Sequence, residues 1–471
     1  MPVGWPGRVP RPTVNHYPTG NYWLDAPRPP PCPKLTGAHT ADVVVVGGGF
    51  TGLWSALRLR ELWPSAGIVV VEQGLVGHGG SGRNAGQVAG SLDHSHREAI
   101  AHFGEAEARR MATVGLENLA EFERFLVANA IECEYARNGL LRVALTPAQL
   151  DGLLEERAAA ETCGVSGLEL LDATAVRAEL NSPRYLGGLH DPTWGLINPV
   201  KLVDGLKQLA LTRGVRLFER SPVTQLRVEA GKVRANTAEG DVVADRAVLA
   251  TDVYSYRLMP RLLRRYVPLY DYVMVTAPLR PEQRAALGWR RRQGVTDERT
   301  FFNYYRLTAD DRVLWGSSEA RYYPGTLVSE AHDHSLSHYR QLEESFRWHF
   351  PQLGEVRFEY AWGGPIAATT RLTPFFGAEG EGRIVYALGY TGLGIASSHL
   401  AGKILAHMIA ERPDRLMQLE MVRRRPLPYP PEPLRRWAIE AVTRSLRRVD
   451  DGRPPNLLLR LLDALGIGFS S

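Results

Sequence analysis

The sequence predicts a fold of the α/β (α+β) class: a βαβ unit near the N-terminus and an antiparallel sheet built from later segments. Three observations predict it. Ala41 to Val46 is apolar apart from Asp42, as in a strand buried on both faces. Thr51 to Leu62 spaces Leu53, Trp54, Leu57 and Leu62 at helical intervals, and Pro64 ends the pattern. Residues 265–360 alternate aromatic and polar positions, as half-buried strands do.

The remaining elements follow in order. Residues 1–40 are rich in Pro and Gly and read as an irregular arm packing on the body. Ile68 to Glu72 is a second buried strand, completing the βαβ unit. Residues 97–135 read as helices, 139–190 as short strands with an amphipathic helix, and Val200 to Arg213 as another helix. Strands are expected at 215–218, 223–236 and Ala247 to Ala250, and a last buried one at Arg383 to Leu388. A Gly-rich turn then leads into a helix ending near Ile409. The expected organisation is a discontinuous first domain (41–96, 195–260 and 361–410), a second domain (97–194 and 261–360) and a tail (411–471).

Composition narrows the class. Apolar residues make up 44% and charged residues 23% of the 471, the balance of a globular chain long enough for two or three domains. The net charge of +5 comes without a Lys/Arg stripe interleaved with aromatics, which argues against nucleic-acid binding. Cys32, Cys133 and Cys163 form no CxxC pair, so neither a disulfide framework nor a thiolate zinc site is expected, and a cytoplasmic setting fits. Residues Met1 to Pro12 lack the apolar core of a signal peptide, and no run approaches a membrane span.

The chemistry begins at Gly47-Gly48-Gly49-Phe50-Thr51-Gly52, a GxGxxG turn between the first strand and the helix. Gly47 permits the tight turn, Gly49 lets a pyrophosphate approach the backbone, and Gly52 lets helix and strand pack closely. The helix N-terminus then offers unpaired N–H groups to phosphates. Glu72, with Gln73 after it, ends the next strand twenty residues beyond Gly52, where a carboxylate accepts from ribose hydroxyls. A glycine turn without ligand is the alternative, and the strand, helix and acid together argue against it.

Two further loops distinguish a flavin from a nicotinamide dinucleotide. One is Gly79-Gly80-Ser81-Gly82-Arg83-Asn84-Ala85-Gly86-Gln87, just after the ribose strand. The other, Gly389-Tyr390-Thr391-Gly392-Leu393-Gly394, joins a buried strand to a helix whose N-terminus would stabilise negative charge on reduced flavin.

On these residues the chain resembles the D-amino-acid oxidase superfamily of FAD-dependent oxidoreductases. That group includes glycine oxidase and sarcosine oxidase, and the nearest likeness is to the γ-glutamylputrescine oxidoreductase branch. Tyr22-Trp23, Asn198-Pro199, Leu249-Ala250-Thr251 and Trp362-Gly363-Gly364-Pro365 also carry the resemblance. It implies a Rossmann-type FAD domain, an inserted antiparallel substrate domain, and the isoalloxazine between them. It implies that Ser81, Asn84, Ala85, Gly86 and Gln87 run beside the flavin, in a loop completed by Gly82 and Arg83. It further implies that Val223 meets the adenine end through its backbone, and that Thr251 lines the phosphates and ribityl chain. Gly392, Leu393, Gly394 and Ile395 would sit against the pyrimidine ring.

The implied reaction is oxidation of a C–N bond in an amine or amino acid to an imine by hydride transfer to FAD. It needs no assigned catalytic base, because the cofactor supplies the chemistry and the protein supplies orientation. FAD is expected to be non-covalent: the 362–370 region has no Cys, and His78 is the one nearby alternative for a covalent link. Tyr304, Tyr305 and Trp362 are candidates for an aromatic substrate pocket. Strand alternation lets only one of the two tyrosines face it. Arg371 would orient an anionic group or serve as an ion-pair partner. Two departures from sarcosine oxidase bear on substrate and acceptor: Ala396 stands where that enzyme has a carboxylate-holding lysine, and Val313-Leu314-Trp315-Gly316 lacks its oxygen-activating lysine.

No metal is expected; His332, Asp333, His334 and His338 read as a solvated loop before a helix. The tail is expected to dock on its own domain or on a partner subunit, with contact at a membrane surface the lesser reading. Two functional alternatives stay open. One is a flavin-binding subunit or scaffold without turnover, and the other is a tailoring oxidase of a larger amine-bearing metabolite.

Overall fold

The computed structural model describes residues 17–325, 328–464 and 467. Among these, strands form two eight-stranded sheets and a two-stranded ribbon. The first sheet runs in the order Phe375–Glu379, Ile384–Leu388, Gly240–Leu249, Gly37–Val46, Ile68–Val71, Arg216–Phe218. Four of its five pairings in this order are parallel, and only Phe375–Glu379 with Ile384–Leu388 is antiparallel. Antiparallel strands Gln225–Glu229 and Lys232–Asn236 extend from the N-terminal half of Gly240–Leu249. Val43 to Val46 and Ile68 to Val71 are buried, as continuous apolar runs in a two-sided parallel sheet should be.

Helix Phe50–Leu62 is buried through most of its length between helices Pro199–Thr212 and Gly394–Ala410. Two glycines make its start feasible. Gly47 has φ +110°, and a Cβ there would lie 2.5 Å from the Ala250 carbonyl oxygen. A Cβ on Gly52 would lie 1.9 Å from the Gly47 oxygen. Helix Pro199–Thr212 starts on the Asn198-Pro199 pair: the Asn198 side chain accepts from the Lys201 amide, and Pro199 takes the first turn.

The second sheet is sewn from two stretches of chain. Its order is Phe358–Ala368, Val267–Thr276, Val313–Arg321, Asn303–Leu307, Gly294–Asp297, Leu140–Ala144, Gly187–Asp191, Glu169–Asp172. All pairings are antiparallel except Gly294–Asp297 with Leu140–Ala144. The strand Phe358–Ala368 crosses the domain boundary expected at residue 361: Trp362 to Ala368 pair with Val273 to Val267, and the chain re-enters the first sheet at Phe375. Helix Leu336–His349 packs on one face of this sheet, where Tyr272, Trp315, Tyr339 and Phe346 share a core. The opposite face is left to a cavity.

Arm and tail both lie on the body. The Gly20 amide donates to the Ala361 carbonyl, and Trp23 is buried. In the tail, Val442 and Leu446 of helix Leu434–Asp450 cluster with Leu459 and Phe301. Leu434, Trp437, Leu457 and Leu461 are exposed on its outer side. Among the described residues no helix is long and apolar enough to cross a membrane.

Candidate active site

A cavity of about 1240 Å³ runs from the glycine turn, past the second sheet, to the tail. At one end Gly49, Phe50 and Thr51 open the first helix. The Phe50 amide donates to Ser81 Oγ at 2.9 Å, so the 79–87 loop is seated on the helix N-terminus.

That loop is held from several sides. Asn84 Oδ1 accepts from the Gly86 amide, and its Nδ2 donates back to Gly80 and Ser81 carbonyls. Two indoles pin its carbonyls: Trp23 Nε1 donates to Asn84 O and Trp362 Nε1 to Arg83 O, both at 2.9 Å. Arg306, buried beneath, donates to Gly86 O and Ile197 O, and burial pulls its guanidinium down to about 10. Arg83 pairs with Asp333 and donates to the His78 and Gly363 carbonyls. Ser81 and Arg83 to Gln87 line the cavity, while Gly82 packs behind them.

Opposite lies the 389–394 turn. Gly389, Thr391 and Gly392 all have positive φ, and at Thr391 this is a strained conformation for a β-branched residue. Thr391 Oγ1 donates to the Gly389 and Ala367 carbonyls, which holds the strain in place. Gly392, Leu393, Gly394 and Ile395 face the cavity at the start of helix Gly394–Ala410. Asp252, also at positive φ, accepts from the Gly389 amide, and burial pushes its carboxyl up to about 6.

Glu72 lies behind the glycine turn. Its Oε2 accepts from the Gly48 amide at 2.6 Å and its Oε1 from the Gly74 amide at 2.8 Å; burial pushes this carboxyl up against the pull of those amides. Gln73 accepts from Arg257, Thr251 Oγ1 shares a hydrogen bond with Ser255, and half-buried Val223 packs against the core. These four are outside the cavity's lining.

The sheet supplies the cavity's floor. Leu269, Asp271 and Val273 face it, while Tyr270, Tyr272 and Met274 face the core. Tyr304 lines it and Tyr305 does not. Tyr305 is turned into the core, stacked on Trp315 at 4.3 Å with its hydroxyl 2.6 Å from that of Tyr185. The alternation of strand faces forces this split, so Tyr305 leaves the set of pocket candidates.

Arg371 also leaves it. It is buried, and its guanidinium donates to the carbonyls of Pro374, Met421 and Arg424 at 3.0, 2.6 and 2.6 Å. All these acceptors are backbone, so it fastens the start of the tail.

Of the other cations lining the cavity, Arg321 lies over the Tyr323 ring, and Arg436 and Arg444 pair with Glu440. Arg142 forks onto Glu298 at 2.7 and 2.8 Å, and Arg447 pairs with Glu319 at 2.6 Å. Lys403, two turns beyond Ala396, pairs with Glu121. His332 stacks on Tyr323 and His338 on Tyr272; among the described residues no group of three His, Cys, Asp or Glu is placed to hold a metal. Asp271 and the tail's part in the cavity are absent from the sequence reading. The signal for Asp271 was an acid at an inward position between Leu269 and Val273.

Residues 42–408 match the family described as FAD dependent oxidoreductase, DAO. The chain belongs to this family. It is 34% identical to γ-glutamylputrescine oxidoreductase of Escherichia coli over 402 residues, 84% of this chain and 91% of that one. It is 32% identical to a probable oxidoreductase, OrdL, of Haemophilus influenzae over 394 residues, 82% of this chain and 87% of that one. The fold matches the crystal structure of glycine oxidase from Geobacillus kaustophilus with a TM-score of 0.69. That match has 20% identity and covers 82% of this chain and 99% of that one. The chain is therefore an FAD-dependent oxidoreductase, and its residues fit the cofactor: the turn at Gly47–Gly52 leaves no room for a Cβ at its first or last position, a helix N-terminus follows, and a long cavity continues from it.

Proposed function

We propose that this oxidoreductase oxidises the C–N bond of an amine with an extended carbon chain or ring, in preference to a small free amino acid. The observation that carries this reading is the cavity's wall. Ala396, buried in the core beside the lining residue Ile395, has a methyl group where the resemblance to sarcosine oxidase would put a carboxylate-holding lysine, and Arg371, also outside the lining, is fastened to backbone carbonyls. A buried carboxylate without a cation is costly, several kcal/mol in typical cases. Phe301, Phe302, Tyr304 and Trp362 instead offer apolar area to a longer substrate. The likeness to a relative named for oxidising γ-glutamylputrescine supports the same reading.

Gly49, Phe50, Thr51 and Gly52, with Glu72 behind them, would hold the dinucleotide. Ser81, Asn84 to Gln87 and Gly392 to Ile395 would flank the flavin, while Gln73, Val223 and Thr251 would serve the adenine and ribityl parts. When bound, FAD supplies the two-electron acceptor for hydride removal from the carbon beside nitrogen, leaving an imine that water hydrolyses. The helix N-terminus at Gly394 presents N–H groups where negative charge would develop. Tyr304 and Trp362 orient the substrate chain, and the tail excludes water from its far end. Non-covalent attachment fits because His78 is outside the cavity's lining.

The test is anaerobic flavin reduction by sarcosine, D-alanine, putrescine derivatives and bulkier secondary amines. The larger amines should reduce the flavin fastest. Efficient reduction by sarcosine or D-alanine alone refutes the reading, and no reduction by any amine favours a flavoprotein without turnover.

A further inference from the structure

Asp271 lies on the strand Val267–Thr276, facing the cavity between Leu269 and Val273. Its Oδ2 accepts from the Tyr304 hydroxyl at 2.5 Å, and its Oδ1 from the Tyr272 amide at 2.8 Å. Among the described residues no Lys, Arg or His forms an ion pair with it. Arg83, which packs against Gly364 on the neighbouring strand, is already joined to Asp333 and two carbonyls.

The contact with Tyr304 is built into the sheet. Tyr304 stands on Asn303–Leu307 and Asp271 two strands away, with Val313–Arg321 between them. The bridging is possible because residue 316, Tyr304's partner on the middle strand, is glycine. A Cβ at Gly316 would lie 2.3 Å from the Tyr304 ring. The ring therefore lies across the middle strand in the space a side chain would fill, and its hydroxyl fixes one carboxylate oxygen. A carboxylate held this rigidly in an apolar wall, without a cation, leaves part of its acceptor capacity directed to the cavity. Burial pushes it up to about 7, against the pull of those two hydrogen bonds.

We propose that Asp271, positioned by Tyr304 across Gly316, is the anionic subsite that receives the ammonium group of a cationic amine substrate. This rests on the amine-oxidation reading and deepens it, because it makes positive charge the feature selected at the sheet wall. The cavity would then discriminate by charge at Asp271 and by apolar length along Phe301 and the tail.

The experiment uses the FAD-loaded full chain and two non-oxidisable ligands. Cumylamine has no hydrogen on the carbon bearing nitrogen, and cumyl alcohol is its uncharged counterpart. Binding is read from perturbation of the flavin absorbance, so turnover is not required. The wild type should bind the amine roughly 10- to 100-fold more tightly than the alcohol, the range for a hydrogen bond to a charged group. Asp271→Asn should reduce that ratio to near one while the alcohol's affinity stays within a factor of about three. If Asp271→Asn fails to retain FAD, Asp271→Glu and Tyr304→Phe, which both keep the carboxylate, should still prefer the amine. No preference in the wild type, a preserved preference in Asp271→Asn, or its loss in both charge-keeping variants overturns the assignment. Failure of amine oxidation itself would appear separately, as a wild type that prefers cumylamine yet is reduced by no amine in the panel.

Discussion

The Glu72 carboxylate accepts the Gly48 amide at 2.6 Å and so ties the end of the second parallel strand to the middle of the glycine turn. Its other oxygen holds the Gly74 amide. The side chain therefore shapes the glycine turn, beside the ribose contact proposed for it. Glu72→Ala should weaken FAD binding about 10- to 100-fold and lower the melting temperature, since each buried amide left unpaired costs about 1–3 kcal/mol. Glu72→Gln, which keeps one acceptor oxygen, should lose less of both. Isothermal titration of apoprotein with FAD, beside thermal melts, checks this. Unchanged FAD affinity in Glu72→Ala would show that the ribose lies elsewhere.

Arg371 should prove a stability residue. Its three carbonyl partners lie at Pro374, Met421 and Arg424, and burial pulls its guanidinium down to about 10. Arg371→Met should destabilise the chain by about 2–4 kcal/mol, because it strands buried carbonyls and frees the start of the tail. Amine affinity in the surviving folded enzyme should change by less than about threefold. A collapse of substrate affinity with an unchanged melting temperature would restore Arg371 as a substrate clamp.

The contrast between Glu72 and Arg371 shows what was legible in the sequence. Glu72, the glycine turn and the 79–87 and 389–394 loops carry local signatures, small residues at a fixed spacing beside a strand end, although distant side chains such as Trp23, Trp362 and Asp252 hold the loops in place. The strand and helix order of the parallel sheet was readable for the same reason. Arg371, Tyr305 and Asp271 depend on which face of a strand or turn meets which distant segment. Strand alternation allowed one of Tyr304 and Tyr305 to face the pocket, but the choice depends on Trp315 and Tyr185. Arg371 binds carbonyls some 50 residues away, a relationship with no local pattern.

Ligand affinity should depend on pH through Asp271. The groups facing its carboxylate are the Tyr304 hydroxyl and the Tyr272 amide, with Arg83 beyond Gly364 bound to Asp333. With its carboxyl raised to about 7, Asp271 is neutral below that pH and anionic above it. An alkylammonium stays charged to about pH 10. Cumylamine should therefore bind more tightly as pH rises through 7, weakening about tenfold between pH 8 and pH 6. Asp271→Asn should flatten that limb. A wild-type profile already flat from about pH 6 to pH 8 would show that Asp271 does not titrate against the ligand.

The tail should set the size of substrate the enzyme handles. The Asp450 carboxylate accepts the Thr300 and Phe301 amides at 2.6 and 3.1 Å, which anchors helix Leu434–Asp450 on the second sheet. Arg447 pairs with Glu319 beside it. Pro428, Ile439, Val442 and Leu446 thereby supply the tail's share of the cavity lining. Truncation after Leu427 should leave FAD in place, because the residues proposed to hold it, Glu72 and the three glycine-rich loops, all lie upstream. It should open the tail-lined part of the cavity to water and remove apolar contact from any substrate long enough to reach it. Losing roughly 60 Å² of such contact costs about 1.4 kcal/mol, a factor of about ten in affinity. The Michaelis constant should thus rise about tenfold for bulky amines and change little for short ones. Asp450→Ala, which unseats the helix without deleting it, should shift the same ratio in the same direction by a smaller factor. Steady-state kinetics on a homologous series of alkylamines, run with both variants, separates chain length from charge. If the truncated enzyme keeps the wild-type dependence on chain length, the substrate ends short of the tail, and size selection belongs to Phe302, Tyr304 and Trp362 alone.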